Sequence, residues 1–150
     1  MLMRIRSLFP TRPDKRLLLT LCVPALDVVT PDVVQAVVDA IAGTAADNLT
    51  DDVHIVVAEA VNNIVEHAYP GRSFGALAVH LSVSDSGLRI DFFDWGDPFP
   101  DEALPAGQAP KPASLSEGGY GWFLIRALAS TSTYSRIADS NCLSICFQLR

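Results

Sequence analysis

The segment from Glu59 to Tyr69 carries three kinds of polar side chain at helical spacing. Glu59, Asn63 and His67 follow at intervals of four residues, which places them on one side of an α-helix. They run along the edge of an apolar face made of Val53, Val57, Ala60, Val61, Ile64 and Ala68. An amide oxygen is a hard ligand that suits Mg²⁺, and a carboxylate one turn earlier could accept a proton. The alternative is a polar flank that only hydrogen-bonds a neighbouring strand.

A second candidate follows the apolar run from Ile90 to Phe93. Asp94 stands where a carboxylate leaves a hydrophobic strand, and it could accept a hydrogen bond from a buried amine such as that of adenine. Gly96 removes a side chain where a flat ring could approach. The alternative is an ordinary turn built from aspartate and glycine.

The third candidate is a glycine cluster, Gly118, Gly119 and Gly121, at the start of an apolar segment. Backbone N–H groups at a helix N-terminus form an anion site, and glycine lets the backbone approach phosphate closely. The surrounding sequence has neither the layout of a Rossmann unit nor the Gly-Lys-Ser/Thr end of a P-loop. A flexible hinge is the alternative.

Apolar periodicity predicts the elements that hold these residues. A helix is expected to begin at Thr30-Pro31, with Thr30 as N-cap. The other expected elements are helices over Thr50–Tyr69 and Tyr120–Ser130, and strands over Leu17–Val23, Ala76–Ser84, Leu88–Phe93, Thr131–Ile137 and Leu143–Leu149. Helices before and between hairpin-linked strands favour a layered α+β sandwich. Residues 97–119 are rich in proline and glycine, which predicts a long functional loop.

Length and charge narrow the class of protein. The chain has 150 residues, which suits one domain. Its net charge is −6 and its pI is about 4.8, whereas a nucleic-acid-binding protein usually carries a basic surface patch. No apolar run reaches the roughly 18 residues of a membrane span. We therefore expect a cytoplasmic protein that binds neither nucleic acid nor membrane, with residues 1–16 as a short N-terminal arm.

In order and spacing, the three segments resemble the N, G1 and G2 boxes of GHKL ATPases. The finer resemblance is to bacterial anti-sigma factor serine/threonine-protein kinases. Glu59-Ala60-Val61-Asn62-Asn63, continuing to His67-Ala68-Tyr69, resembles their E-A-V-x-N-x-x-x-H-x-Y signature. Asp94-Trp95-Gly96-Asp97-Pro98-Phe99 is similar to their D-x-G-x-P-F form. The resemblance spans roughly residues 17–149.

This resemblance implies a two-layer Bergerat-type sandwich, with a mixed, mainly antiparallel sheet covered on one face by helices. It implies a single ATP-binding kinase domain over residues 1–150, with residues 97–119 as the ATP lid. Carried over by position, Glu59 is the general base and Asn63 holds Mg²⁺. The nucleotide-binding residues are Asn63, His67, Asp94, Gly96, Gly119 and Gly121.

The implied partners are a STAS-type antagonist, which is phosphorylated, and a sigma factor, and the chain is expected to form a homodimer. One alternative is an ATP-dependent binding switch with little kinase activity; another is the detached ATP-binding domain of a histidine kinase. Two departures stand out. Glu117 precedes the glycines where a basic residue would suit phosphate better, with Lys111 as the only nearby lysine. Ser140-Asn141 replaces a glycine-threonine pair, and Asn141 is expected to supply a turn.

Overall fold

A computed structural model describes residues 14–72, 74–107, 109 and 120–149. Its strands form one sheet in the order β1-β2-β3-β5-β4, and all four pairings are antiparallel. The strands are β1 (Arg16–Pro24), β2 (Ala76–Ser84), β3 (Gly87–Asp94), β4 (Thr131–Ile137) and β5 (Ser140–Phe147). The expected α+β sandwich with a mainly antiparallel sheet is confirmed.

Three helices lie in the described residues, namely α1 (Thr30–Ile41), α2 (Thr50–Ala68) and α3 (Gly121–Leu128). Helix α2 is the central one, since it packs against both α1 and α3. Asp51 and Asp52 occupy its first turn, where the helix dipole favours negative charge. The sequence-predicted bounds of α2 are therefore confirmed to within one residue.

The core lies between the helices and one face of the sheet. Alternate residues of β2, β3 and β5 point into it, and nine of them are fully or almost fully buried: Leu77, Val79, Leu81, Leu88, Ile90, Phe92, Leu143, Ile145 and Phe147. The helices contribute apolar side chains that recur every three or four residues. This packing fixes the rotation of α2, and with it the direction in which the polar stripe faces.

Two local predictions are wrong. Thr30 is not an N-cap, because it has helical backbone angles and its hydroxyl donates to Asn62 Oδ1 at 2.8 Å. Asn141 does not supply the turn between β4 and β5; that turn holds Ala138, with φ of 53°, and Asp139. Asn141 lies inside β5, opposite Asp94 of β3.

The loop that follows β3 is described only as far as residue 107, apart from residue 109. It contains a short 3₁₀ turn at Pro100–Glu102, and the guanidinium of Arg126 in α3 donates to Pro105 O at 2.9 and 3.1 Å. The rest of the predicted lid, with Lys111, Glu117 and Gly119, lies outside the described residues, as does most of the predicted arm.

Candidate functional site

The polar stripe on α2 lies where the helical spacing places it. The six apolar neighbours of the stripe are all buried, whereas Glu59 and Asn63 are half-buried and His67 is exposed. The stripe therefore runs from the edge of the core toward solvent, with a carboxylate and an amide one helical turn apart.

The start of α3 closes on this stripe. A Cβ atom on Gly121 would lie 2.5 Å from Glu59 Oε2 and 3.2 Å from Asn63 Nδ2. Only glycine allows this approach without displacing one of the two side chains. The fold thus brings Gly121, the described glycine of the third sequence-predicted segment, to the first segment, more than fifty residues earlier in the chain.

Two buried polar groups near this junction have no hydrogen-bond partner among the described residues. They are the Asn63 amide nitrogen, Nδ2, and the Trp122 indole nitrogen, Nε1. Buried polar groups are nearly always hydrogen-bonded in folded proteins, and an exception calls for an explanation. A bound polar ligand would explain the unmet capacity of the Asn63 amide.

Asp94 ends β3 as a buried carboxylate, only 4% exposed. Its Oδ1 accepts hydrogen bonds from Gly96 N at 2.9 Å and from Asn141 Nδ2 at 2.7 Å, whereas Oδ2 takes part in neither. Burial raises the pKa of Asp94 above its ordinary value; the hydrogen bonds from Asn141 and Gly96 and the charge of Arg136 act in the opposite direction. A desolvated carboxylate at this position is well suited to accept a hydrogen bond from a ligand.

Gly96 joins the Asp94 region to the end of α2. A Cβ atom on Gly96 would overlap the carbonyl oxygen of Ala68, and the next amide, Asp97 N, donates to that oxygen at 2.7 Å. The close approach is therefore to the helix C-terminus, which supplies a physical reason for glycine different from the flat ring expected from sequence. The contact fixes Asp94 relative to the stripe on α2.

Asn141 is a site residue that sequence reasoning missed. Its amide nitrogen donates to Asp94 Oδ1, while its Oδ1 accepts from Tyr134 Oη and from Arg136 Nη1, both at 2.6 Å. The residue is 2% exposed. A signal was present, because Asn141 continues the alternation of the buried residues Leu143 and Ile145 as a polar member of an apolar face.

Aromatic side chains fill the space beside Asp94. Phe99 packs edge-on against Trp122 and Tyr134, with ring centroids 5.4 and 5.0 Å apart, and lies 6.4 Å from the ring of His67. The cavity that Phe99 lines with His67 and Asp94 has a volume of only about 10 Å³. A purine would therefore enter only after lining side chains move, and Phe99 lies on a loop rather than in a helix or strand.

A larger groove, of about 610 Å³, lies on the other side of α2. Its lining includes Asn62, Glu66 and Arg72, and none of the stripe residues Glu59, Asn63 and His67. Size alone therefore does not identify the site: the buried carboxylate of Asp94 lines the smaller cavity, and the unpaired nitrogens of Asn63 and Trp122 belong to the lining of neither.

The donor set fits a hard cation held by few protein ligands. Within the described part of the chain, no group of three histidine, cysteine, aspartate or glutamate side chains could hold a metal ion. Mg²⁺ commonly takes one or two protein oxygens, and its other ligands are waters and substrate phosphates. Asn63 offers one such oxygen in its side-chain amide, which lies beside Gly121. No helix among these residues is long and apolar enough to cross a membrane.

Curated relatives share part of the sequence. The chain is 33% identical over 98 residues to the serine-protein kinase RsbW of Staphylococcus aureus, with 61% of each chain covered. It is 35% identical over 83 residues to the serine-protein kinase RsbW of Bacillus licheniformis, with 52% of each covered. The protein thus spans about half to three fifths of the length of these relatives.

Solved structures agree on the fold. The crystal structure of the RsbU and RsbW domains of a Mycobacterium tuberculosis protein matches 87% of this chain and 32% of its own, with a TM-score of 0.58 and 19% identity. The histidine kinase domain of a blue-light activated histidine kinase from Erythrobacter litoralis matches 85% of this chain and 62% of its own chain, with a TM-score of 0.53 and 19% identity.

A family model described as the histidine kinase-like ATPase domain matches residues 25–147, which include α1, α2, α3, most of the sheet and every residue of the candidate site. The chain belongs to the histidine kinase-like ATPase domain family.

Proposed function

We propose that the protein is an ATP-dependent serine/threonine-protein kinase of the anti-sigma type. The observation that carries the proposal is the meeting of Glu59, Asn63 and Gly121, because a carboxylate and an unpaired amide there face the backbone at the start of α3. The likeness to proteins named serine-protein kinase RsbW supports this class of activity.

In this proposal, the base of ATP binds at Asp94, beside Gly96 and His67. The phosphates extend toward Gly121, and the resemblance implies that Gly119 also binds them. Asn63 holds Mg²⁺ through its amide oxygen. The cation, when bound, neutralises charge on the phosphates. The few polar contacts at Asp94 and Asn63 fit a ligand with one polar base edge and one anionic end.

Glu59 acts on the acceptor protein. Its carboxylate takes the proton of a serine or threonine hydroxyl as that oxygen bonds to the γ-phosphorus, and the bond from this phosphorus to ADP breaks. The close approach of Glu59 Oε2 to the backbone of Gly121 supports this role, because Gly121 is the proposed phosphate end. The acceptor is a STAS-type antagonist protein, as the resemblance to anti-sigma kinases implies.

The same resemblance supports a sigma factor as second partner, a homodimer and a cytoplasmic location. Sedimentation velocity with Mg-ATP at tens of micromolar tests the dimer, and a monomer at that concentration would contradict it. Incubation with radiolabelled ATP and a STAS-domain protein of the source organism tests the kinase. Failure to label any such protein would favour an ATP-dependent binding switch.

Calorimetric titration with ATP and Mg²⁺ tests the site itself. Asn63→Ala removes the proposed metal ligand, and Asp94→Asn removes the anionic acceptor but keeps its shape. We expect each to weaken Mg-ATP binding about tenfold or more, because a hydrogen bond to a charged group contributes on the order of 1.5–3 kcal/mol and because Asn63→Ala removes an oxygen ligand of the cation. Asn62→Ala, adjacent on α2 but outside the stripe, is the matched control. Unchanged affinity in both site variants would overturn the assignment.

A further inference from the structure

The Asn141 side chain makes five hydrogen bonds with described residues around the candidate site. Its amide nitrogen faces three acceptors: Asp94 Oδ1 at 2.7 Å, Asp97 O at 3.2 Å and Gly96 O at 3.3 Å. Its amide oxygen accepts from Tyr134 and Arg136. Every one of these partners lies on another strand or on the loop after β3, so the contacts depend on tertiary structure.

The two donors to the Asn141 oxygen fix the orientation of its amide. Arg136 Nη1 can only donate and belongs to a guanidinium with a permanent positive charge, and Tyr134 Oη, which accepts from Phe99 N at 3.3 Å, donates its proton to the same oxygen. A rotation of the amide by 180° would set its NH₂ group against these donors. The amide is therefore held with its NH₂ group toward Asp94, which makes Asp94 an acceptor of that hydrogen bond.

We propose that Asn141, oriented by Tyr134 and Arg136, is a positioning residue that holds Asp94 as an ionised acceptor, so that the site selects a base with an exocyclic amine over one with an exocyclic carbonyl. The inference rests on the proposed function, because it concerns the choice of nucleotide at that site. An ionised carboxylate only accepts hydrogen bonds, whereas a protonated one can also donate to a carbonyl such as that of guanine.

The other charged or titratable groups near Asp94 include the Cys142 thiol on β5, whose pKa is raised mainly by burial and also by the charge of Asp94. Arg136 approaches from β4, His67 from the end of α2, and Asp97 from the following loop. The carboxylate of Asp97 is paired with Arg72 at 2.7 Å. Burial disfavours the ionised form of Asp94, and Asn141 and Arg136 oppose that effect. A loss of either one would thus make proton binding to Asp94 easier.

Asn141→Asp is the most informative substitution. It keeps the shape of the side chain and the acceptor for Tyr134 and Arg136, but it replaces the donor to Asp94 by a second carboxylate oxygen. Two carboxylates at hydrogen-bond distance share one proton and titrate as a pair. With the proton bound, the variant imitates the wild-type contact; without it, the two charges repel and Asp94 is displaced.

The test is calorimetric titration of the full chain with Mg-ATP and Mg-GTP between pH 6 and pH 9. We expect the wild type to prefer ATP at least tenfold and to keep its ATP affinity as pH rises. Asn141→Asp should lose ATP affinity at least tenfold across that range, so the two pH profiles diverge. Asn62→Asp is the matched control, because it adds the same charge at an exposed position of α2. The nucleotide phosphates titrate in the same way with both variants, so a difference between the two pH profiles does not come from the nucleotide.

Each outcome decides between the proposals. If Asn141→Asp remains folded and follows the profile of Asn62→Asp, the role of Asn141 is wrong while ATP binding stands. If the wild type binds neither nucleotide, the proposed function fails and this inference fails with it. Should circular dichroism show that Asn141→Asp does not fold, Arg136→Met replaces it, and we expect its preference for ATP over GTP to fall at least threefold. An unchanged preference in Arg136→Met would overturn the inference.

Discussion

The two ends of the candidate site differ in how far the protein satisfies its own polar groups. At the Asp94 end, one connected hydrogen-bond network joins the side chains of Asp94, Asn141, Tyr134 and Arg136. At the Asn63 end, a buried amide nitrogen has no partner among the described residues, and Glu59 stands beside it against Gly121.

We attribute this difference to the two roles proposed for the site, which are base recognition at Asp94 and phosphoryl transfer at Glu59 and Asn63. Side chains that recognise a nucleotide base must hold one orientation before the nucleotide binds, and a network in which every hydrogen-bonding group has a partner provides that. Groups proposed to bind phosphate and move a proton would exchange partners during the reaction, which fits the unpaired amide nitrogen of Asn63. Substitutions at the two ends should therefore differ in effect: one that leaves a member of the Asp94 network without its partner should lower stability, whereas one at the Asn63 end should lower nucleotide binding or turnover.

The largest effect is expected for Glu59→Gln. The amide keeps the shape and hydrogen-bonding reach of Glu59 but cannot act as a base. A positioned general base contributes about 10²–10⁴-fold, which corresponds to roughly 2.7–5.5 kcal/mol of barrier at 1.36 kcal/mol per decade. We expect phosphoryl transfer to the acceptor protein to fall at least a hundredfold, measured with radiolabelled ATP under single-turnover conditions.

If Glu59 acts only in catalysis, Glu59→Gln must still fold and bind nucleotide while phosphoryl transfer falls. Thermal unfolding and calorimetry with Mg-ATP are the controls, and Glu66→Gln, an exposed position on the same helix, is the matched variant. A fall of less than about threefold in transfer, with binding unchanged, would remove Glu59 from the catalytic role.

The next effect compares the two asparagines. Asn141→Ala leaves Asp94, Tyr134 and Arg136 without their shared partner, and an unsatisfied buried group costs about 1–3 kcal/mol. Asn63→Ala removes an amide whose nitrogen is already unpaired, and alanine favours a helix interior by a few tenths of a kcal/mol. Urea denaturation should therefore show a large loss of stability for Asn141→Ala and little or no loss for Asn63→Ala. Equal losses would contradict the contrast between the ends.

The position of the polar stripe on α2 could be predicted from the sequence. The interval of four residues between Glu59, Asn63 and His67 fixes their common side, and the apolar positions between them fix which side faces the core. Helical periodicity is a local property, so no knowledge of the sheet is needed. The bounds of α2 and the placement of this stripe are confirmed for that reason.

The network around Asp94 depends on strand register, which local patterns do not determine. Asp94 pairs with Asn141 across β3 and β5, and Asn141 pairs with Arg136 across β5 and β4. A shift of one residue in either pairing would turn these side chains to the opposite face. The sequence therefore predicts a strand near residue 143, but neither its start at Ser140 nor the contact between positions 94 and 141.

The smallest expected effect concerns stability without ligand, and it tests whether the Asp94 end is built for binding at some cost to the fold. Asp94→Asn keeps an oxygen that accepts from Gly96 N and Asn141 Nδ2. It removes the desolvated charge, whose burial is the largest cause of the raised pKa. The variant should thus lose affinity for ATP without losing stability at neutral pH.

The pH dependence gives this prediction its sign. Because the pKa of Asp94 is higher in the folded state than the ordinary value of 3.8, the folded wild type binds more protons than the unfolded chain between those two pKa values. Wild-type stability therefore falls as pH rises through that window. Asp94→Asn has no such titration, so its free energy of unfolding relative to the wild type should increase from about pH 4 upward. Urea denaturation at several pH values measures the difference, and Asp85→Asn in an exposed turn is the control. A difference that shrinks as pH rises would mean that Arg136 and Asn141 outweigh burial, and that recognition at Asp94 carries no cost in stability.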